Sequence, residues 1–112
     1  LDVSIVNGNT ALIVDWKTGK PREDPDELEI GAVLLKAAYP RLERISGWYV
    51  WLKERRTGKV YDLSDTAGKL ENIRQRYARL EEAVRMDHFP AQQNPLCPWC
   101  PVMTCSFNPR RN

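Results

Sequence analysis

Long apolar stretches and cysteine are both scarce in this sequence of 112 residues. No stretch reaches the roughly 20 consecutive apolar residues that a membrane helix needs, so we predict no membrane-spanning segment and no membrane partner. The opening letters, LDVSIVNGN, have neither the basic nor the apolar region of a signal peptide. Only 3 cysteines are present, and an odd number is not typical of a secreted disulfide scaffold. We therefore expect a cytoplasmic protein.

A large excess of charge of one sign is also absent. The 17 Lys and Arg residues are nearly balanced by 15 Asp and Glu residues, which leaves a formal net charge of +2. A charge this small does not indicate nucleic-acid binding on its own, so any such function has to rest on local sites. The length and the 42% hydrophobic content fit one small globular domain with a thin core.

Apolar periodicity predicts four strands and two helices. The letters NGN favour a tight turn between strands over residues 1–6 and 10–17. Apolar residues recur every three or four positions over residues 26–39 and 65–87, which predicts two helices, the second an amphipathic surface helix. Residues 44–54 and the letters VYDLS are rich in aromatic and β-branched residues and predict two further antiparallel strands. The expected fold is α+β with the order ββαββα: a sheet of about four strands flanked by two helices.

A charged pair stands at the end of the apolar strand ALIVDWK. Residues two apart on a strand point to the same face, so Asp15 and Lys17 project together. One interpretation is an ordinary ion pair, which contributes little stability at a surface. The other is a reactive site, because a lysine beside a divalent metal ion can orient or help to deprotonate an attacking water and can offset phosphate charge.

A second carboxylate favours the reactive interpretation. If the letters NG close a two-residue hairpin turn, Val6 pairs with Asn9 and Asp2 lies opposite Ile13. Asp15 is then the next residue along on the same face. Two carboxylates in this diagonal relation can share a hard divalent ion such as Mg²⁺ or Mn²⁺.

The segment LDVSIVNGNTALIVDWKTGK resembles the nuclease signature of the PD-(D/E)XK superfamily, in its RecB-like phage exonuclease branch. In that signature an Asp on one strand is followed about a dozen residues later by a strand ending Asp-aromatic-Lys-Thr-Gly. The resemblance implies a restriction-endonuclease-like core with a mixed sheet, here over residues 1–90. It also implies that Asp2 and Asp15 bind Mg²⁺ or Mn²⁺, that the Trp16 carbonyl is a further ligand and that Lys17 is catalytic.

The first helix departs from the pattern of the family it resembles. The letters DELEIGAVLLKAAYP place Glu27 where the family usually has Gln, and Gly31 where it usually has Tyr. One hypothesis is that Glu27 supplies a carboxylate to the metal site, in place of an acidic residue that the family often carries on an upstream helix. The alternative is an ordinary solvated glutamate, favoured by the helix dipole in the first turn.

The proline-rich segment over residues 91–112 is predicted to be an irregular tail held by its cysteines. Cys97, Cys100 and Cys105 form C-x2-C-x4-C, a spacing that can grip one metal or cluster. The letters LCPWCPVMTC resemble the cysteine-bearing end of related nucleases, which implies an iron-sulfur cluster completed by a distant N-terminal cysteine, with zinc as the alternative. His88 is either a fourth ligand or a solvated residue, and an incomplete site, reduced cysteines or a disulfide remain open.

The leading functional prediction is therefore a metal-dependent deoxyribonuclease, an exonuclease acting in phage or recombination and repair DNA processing. The alternative is a catalytically incomplete DNA-binding or assembly module derived from such a nuclease. Weaker DNA contacts are predicted for Lys20, Arg110 and Arg111. Because the family normally has a helical region ahead of Asp2, the chain is expected to be either a fragment or a minimal nuclease that completes its core as a homo-oligomer. The expected location is the cytoplasm of a bacterium or a phage-infected host.

Overall fold

The structure, a computed structural model, describes residues 3–111. The expected α+β fold is confirmed, and a two-residue strand, β4, is added to the predicted ββαββα order. The elements are β1 (Val3–Asn7), β2 (Thr10–Lys17), α1 (Asp26–Ala38), β3 (Arg44–Trp51), β4 (Arg56–Thr57), β5 (Tyr61–Asp62), α2 (Thr66–Arg85) and a short 3₁₀ turn (Cys97–Trp99).

The five strands form one mixed sheet, with the order β1-β2-β3-β4 and with β5 also paired to β3. β1 and β2 form an antiparallel hairpin, whereas β2 and β3 are parallel. Parallel neighbours need a crossover connection, and α1 supplies it. The parallel register runs from Thr10 opposite Arg44 to Lys17 opposite Trp51, so β2 and β3 end at the same edge of the sheet.

The predicted register of the hairpin is wrong by two residues. Val6 pairs with Ala11 rather than with Asn9, and the two turn residues are Gly8 and Asn9. Only Gly8 of these two has a positive φ, 61°. A turn with glycine in the first central position and a positive φ there is of type II′, and its twist matches that of the flanking strands. This backbone preference puts Gly8 first in the turn, whereas the sequence-based prediction put it second.

The corrected register changes what lies opposite the inner residues of β2. Ile13 pairs with Ser4, so the predicted opposition of Asp2 and Ile13 is wrong. Asp2 itself lies outside the described residues. The last described pair of the hairpin ends at Val14, which leaves Asp15 as the next residue of β2.

The core lies between α1 and one face of the sheet. On β2 the buried residues alternate, as expected for a strand with one covered face. Ile13 has no exposed surface and sits at the centre of this alternation. The buried apolar residues that form the core are Ala11, Ile13, Leu28, Ala32, Leu35, Leu42, Ile45, Tyr49, Trp51 and Leu63.

Charged contacts connect α2 to the first turn of α1. The Lys69 ammonium forms ion pairs with Asp26 and, at 3.0 Å, with Glu29, and the Arg76 guanidinium lies 3.2 Å from Asp26. The Lys69 side chain is only 10% exposed. Its burial lowers the pKa of Lys69, but the hydrogen bonds to the two carboxylates outweigh burial and raise that pKa overall. The hydrogen bond from Lys69 also lowers the pKa of Asp26. These contacts fix the start of α1, where Glu27 lies.

Two compact units are present, one ending at Arg76 and the other beginning at Tyr77. The boundary falls within α2, and the predicted division after residue 90 stays a prediction. No described residue of α2 is buried, as expected for a surface helix. Most of its apolar residues are exposed, among them Leu70, Tyr77, Leu80 and Val84. Over the described part of the chain, neither helix is long and apolar enough to cross a membrane.

Candidate active site

The candidate site lies where β2 and β3 end and α1 begins. Lys17 is the last residue of β2 and pairs with Trp51, the last residue of β3. The chain leaves β2 through a loop over residues 18–25 and enters α1 at Asp26, so the positive end of the α1 dipole is at the same edge of the sheet. One edge therefore collects side chains from two strands and one helix.

Asp15 and Lys17 lie on the same face of β2, as the period of two predicts. Asp15 is only 7% exposed, although it is a carboxylate. The Lys17 ammonium lies 2.7 Å from its Oδ2 atom. A buried carboxylate is costly unless it is paired, and Lys17 provides that pairing. Trp16, between them, is 53% exposed on the opposite face.

Glu27 completes a three-residue cluster. Its Oε2 atom lies 2.5 Å from the Lys17 ammonium, and its side chain is 68% exposed, compared with 10% for that of Asp15. Lys17 thus bridges one buried and one solvent-facing carboxylate. Hydrogen bonds to Asp15 and then to Glu27 raise the pKa of Lys17 well above its usual 10.5, although burial opposes the shift. Lys17 is therefore protonated at neutral pH.

Tyr49 supports the cluster from β3, and the sequence-based reasoning missed this role. It lies opposite Asp15 in the parallel register, with its ring centroid 5.6 Å from the Lys17 ammonium. Its hydroxyl donates a 2.7 Å hydrogen bond to the carbonyl of Asp24. Burial, and then the charge of Glu27, raise the pKa of Tyr49 to about 12, so the hydroxyl keeps its proton and its hold on the loop. Only the non-local pairing of β2 and β3 identifies this residue.

A groove of about 280 Å³ opens beside Lys17. Basic residues of the 18–25 loop lie on its wall, together with acidic residues at the start of α1 and aromatic residues of β3. Lys20, for which a DNA contact is predicted, is one of the loop residues. The lining residues are Lys17, Gly19, Lys20, Arg22, Asp24, Asp26, Glu27, Tyr49 and Trp51.

The oxygen donors at the site fit a divalent ion in kind. Lys17 holds the Asp15 and Glu27 carboxylates close to the same point, and Mg²⁺ is typically bound by one or two carboxylates with water and substrate phosphate as the other ligands. Within residues 3–111 no group of three or more His, Cys, Asp or Glu side chains is placed to hold a metal ion. Asp2, a predicted ligand, is not among the described residues, and the Trp16 carbonyl stays a predicted ligand.

The three cysteines lie in the second unit, where they line one cavity. All three are partly buried, none forms a disulfide, and all line a cavity of about 700 Å³. Asn108, which is 2% exposed, bonds to two carbonyls of the tail. Its amide donates 3.0 Å hydrogen bonds to the carbonyls of Cys100 and Val102. A buried asparagine thus contributes to holding the tail, and the clamping role of the cysteines stays a prediction.

The other predicted residues of the tail have separate surroundings. The Arg110 guanidinium donates a 2.8 Å hydrogen bond to the Cys100 carbonyl, whereas Arg111 is exposed. His88 is exposed, and its backbone N–H bonds to the carbonyl of Ala83 at 2.9 Å. Over the described part of the chain, His88 forms no metal-holding group with the cysteines.

The sequence also matches a known protein family. A family model described as the PD-(D/E)XK nuclease superfamily matches residues 1–105. The chain belongs to this superfamily. Comparisons with curated proteins and with solved structures gave no match. Membership in the PD-(D/E)XK superfamily implies a nuclease, that is, a phosphodiester hydrolase, and divalent metals such as Mg²⁺ or Mn²⁺ are typical of the superfamily.

In this PD-(D/E)XK chain, the residues that match the (D/E)XK part of the signature lie together at the end of β2. Asp15, Trp16 and Lys17 match the pattern (D/E)XK, and their two charged side chains form the ion pair at the end of β2. Glu27 joins them from α1. The RecB-like branch, the cluster-binding role of the cysteines and the individual roles of the site residues remain predictions.

Proposed function

We propose that the chain is a metal-dependent deoxyribonuclease, an exonuclease of the RecB-like branch that acts in phage or recombination and repair DNA processing. The observation that supports this best is the cluster of Asp15, Lys17 and Glu27 at the common end of two parallel strands. Its location follows from the proposed role, and we expect the cytoplasm of a bacterium or a phage-infected host.

The metal ligands in this proposal are Asp2, Asp15 and the carbonyl oxygen of Trp16, and the ion is Mg²⁺ or Mn²⁺. When bound, the metal supplies Lewis-acid polarisation of the scissile phosphate. Asp15 suits the role of ligand because its carboxylate is buried and fixed by the strand ladder, so it loses little freedom on binding.

Lys17 orients the attacking water and offsets the charge of the phosphate. Hydrogen bonds to Asp15 and Glu27 raise the pKa of Lys17, so its ammonium can donate a hydrogen bond to the water or the phosphate. Asp15 holds the ammonium on one side, and the Tyr49 ring limits its movement on another. A fixed donor of this kind typically contributes about 10²–10³ in rate.

Glu27 has two possible roles in the proposed mechanism. It is either a further metal ligand or the solvent-side partner that positions Lys17, and the 2.5 Å contact between them favours the second role. Glu27→Gln separates the two roles. A ligand predicts weaker Mn²⁺ affinity, whereas a positioning residue predicts unchanged Mn²⁺ affinity with a slower rate.

The tail is proposed to bind an iron-sulfur cluster or, alternatively, zinc through Cys97, Cys100 and Cys105. Support comes from the cavity that all three cysteines line. Iron and zinc analysis of the purified protein, with its visible absorption spectrum, tests this proposal. A protein with no metal and no absorption band would contradict it.

The weaker proposals concern partners. Lys20 and Arg111 are proposed DNA contacts, and Arg110 is a weaker one because its guanidinium already bonds to a carbonyl of the tail. A homo-oligomer is supported by the exposed apolar residues of α2. Sedimentation of the full chain at several concentrations tests this last proposal.

A second candidate function is a catalytically incomplete DNA-binding or assembly module. It is favoured by one observation, the departure of the first helix from the family pattern, with Glu27 in place of Gln and Gly31 in place of Tyr. The two functions differ in their chemistry but share DNA as the partner.

A cleavage assay separates them. Labelled linear DNA is incubated with the wild-type chain in Mg²⁺, Mn²⁺ or a chelator, and with Lys17→Ala and the control Lys53→Ala, which removes an exposed lysine just beyond β3. A nuclease predicts metal-dependent cleavage that Lys17→Ala reduces about 10²–10³-fold and Lys53→Ala leaves unchanged. Cleavage that depends on neither the metal nor Lys17 would contradict the proposal.

A further inference from the structure

We propose that a basic strip consisting of Lys20, Arg22, Arg56 and Lys59 holds the phosphate backbone of the nucleic-acid strand that reaches Lys17. The inference rests on the proposed function for the identity of the substrate. It adds a binding surface that the nuclease signature does not contain, because three of the four residues lie outside that signature.

The sheet register connects the strip to the candidate site. Lys17 lies opposite Trp51, which in turn lies opposite Arg56 on β4. Paired residues of neighbouring strands point to the same face, so Arg56 projects on the side of the sheet that carries Lys17. Two strand spacings separate Lys17 and Arg56, a distance of about 10 Å.

Two adjoining grooves follow this row. The first is the groove beside Lys17, and the second, of about 180 Å³, includes Arg56 and Lys59 on its wall. Arg22 lines both grooves, as do two aromatic residues of β3, Tyr49 and Trp51. A nucleic-acid strand that passes from the first groove to the second therefore lies beside the same two aromatic residues along its path.

The charges of the strip are available for a ligand. Over residues 3–111 the side chains of Lys20, Arg22 and Arg56 have no acidic partner. Lys59 has one, Glu23 at 3.3 Å, and this pair is exposed on both sides. Lys69, on α2, is by contrast neutralised by two carboxylates and nearly buried.

The backbone that carries the strip is held in place. The Tyr49 hydroxyl donates a hydrogen bond to the carbonyl of Asp24, which holds the loop that carries Lys20 and Arg22. Gly58, next to Lys59, donates a 2.7 Å hydrogen bond to the Tyr49 carbonyl. A surface fixed before binding loses less conformational freedom when the ligand arrives.

The spacing suits a polynucleotide. A span of about 10 Å is longer than one nucleotide step, so a strand that lies along both grooves presents more than one phosphate to the strip. With the scissile phosphate at Lys17, Arg56 is then within reach of another phosphate of the same strand. Contacts of this kind set the position of the strand without reading its sequence.

The test compares two double variants with equal loss of charge. Arg22→Gln with Arg56→Gln removes the middle of the strip, and the control, Arg41→Gln with Arg44→Gln, lies at the opposite end of β3, where Arg44 pairs with the first residue of β2. Binding of a labelled single-stranded oligonucleotide to the full chain is measured in a chelator, over a salt series from about 50 to about 200 mM. Cleavage does not contribute under these conditions.

If the strip binds phosphates, the strip variant should lose at least about fivefold in affinity. The slope of its log K against log salt concentration should be smaller in magnitude by roughly 1.4. The control variant should show neither change. Arg22→Lys with Arg56→Lys should keep the wild-type slope because it keeps both charges. Glu23→Gln should tighten binding, because it frees Lys59 from its acidic partner.

Equal losses in the strip and control variants would overturn the proposal, as would wild-type binding by the strip variant. Either result leaves the nuclease proposal intact if the wild-type chain still cleaves DNA in Mn²⁺. Conversely, strip-dependent binding by a chain that cleaves nothing would support the strip and contradict the nuclease.

Discussion

The sheet-end cluster of Asp15, Lys17 and Glu27 and the cysteine tail are built in opposite ways. The cluster is fixed by a parallel strand register of eight residue pairs and by the ion pairs of Lys17 with both carboxylates. The tail has no strand over residues 91–111, and hydrogen bonds from Asn108 hold its turns. Reactive groups on a strand ladder are preorganised, whereas groups on turns keep more freedom until a ligand orders them. The first region is therefore the better place for chemistry that needs fixed distances.

The largest effect is expected from Ile13→Ala, which should destabilise the sheet that carries the cluster more than it destabilises the tail. Ile13 is fully buried two residues before Asp15, and its truncation leaves a cavity under the cluster. We expect a loss of about 2–5 kcal/mol in the free energy of unfolding, measured with denaturant. Hydrogen exchange should speed up in β2 and β3. The tail amides provide the internal control, and an equal acceleration there would show that the two regions do not differ in the proposed way.

Asn108→Ala should destabilise the tail and leave the sheet unchanged. It removes a buried amide that satisfies two carbonyls, so the tail should lose about 1–3 kcal/mol of local stability. Limited proteolysis after residue 90 should accelerate, while hydrogen exchange in β2 stays as in the wild type. Gln92→Ala, at an exposed position of the same tail, is the matched control. Unchanged proteolysis in Asn108→Ala would refute the structural role of this residue.

The sequence could predict the local features of each region but not the contacts between distant parts of the chain. The period of two places Asp15 and Lys17 on one face, and Pro25 and Pro40 bracket the first helix, because these are local properties of the chain. The register could not be predicted, because either position of the turn is compatible with the letters NGN and only the observed pairing of Val6 with Ala11 distinguishes them.

Non-local contacts were out of reach for a different reason. Tyr49 lies beside Asp15 only because β2 and β3 are parallel neighbours, and the sequence does not state which strands pair. Asn108 carries no motif, and its importance comes from its burial. The contacts of Lys69 join two helices that are far apart in the chain. Such residues become visible only when the fold is known.

A smaller effect on stability is expected when the pH is lowered, because protonation of Asp26 weakens the contacts that fix the start of α1. The pKa of Asp26 is lowered in the folded state, so this group adds stability above its ordinary value of 3.8, and that contribution is lost as the pH falls through the lowered pKa. Unfolding free energy should therefore drop below about pH 4, less steeply in Asp26→Asn than in the wild type. Identical slopes in the two proteins would contradict the assigned role of Asp26.

The most direct test of the central claim is Mn²⁺ binding to the full chain, measured by electron paramagnetic resonance. If the end of β2 is a metal site, the wild-type chain should bind Mn²⁺, and Asp15→Asn should abolish or strongly weaken that binding. Glu23→Gln removes an exposed carboxylate from the neighbouring loop and should leave the binding unchanged. Equal Mn²⁺ binding by the wild type and Asp15→Asn would contradict the account.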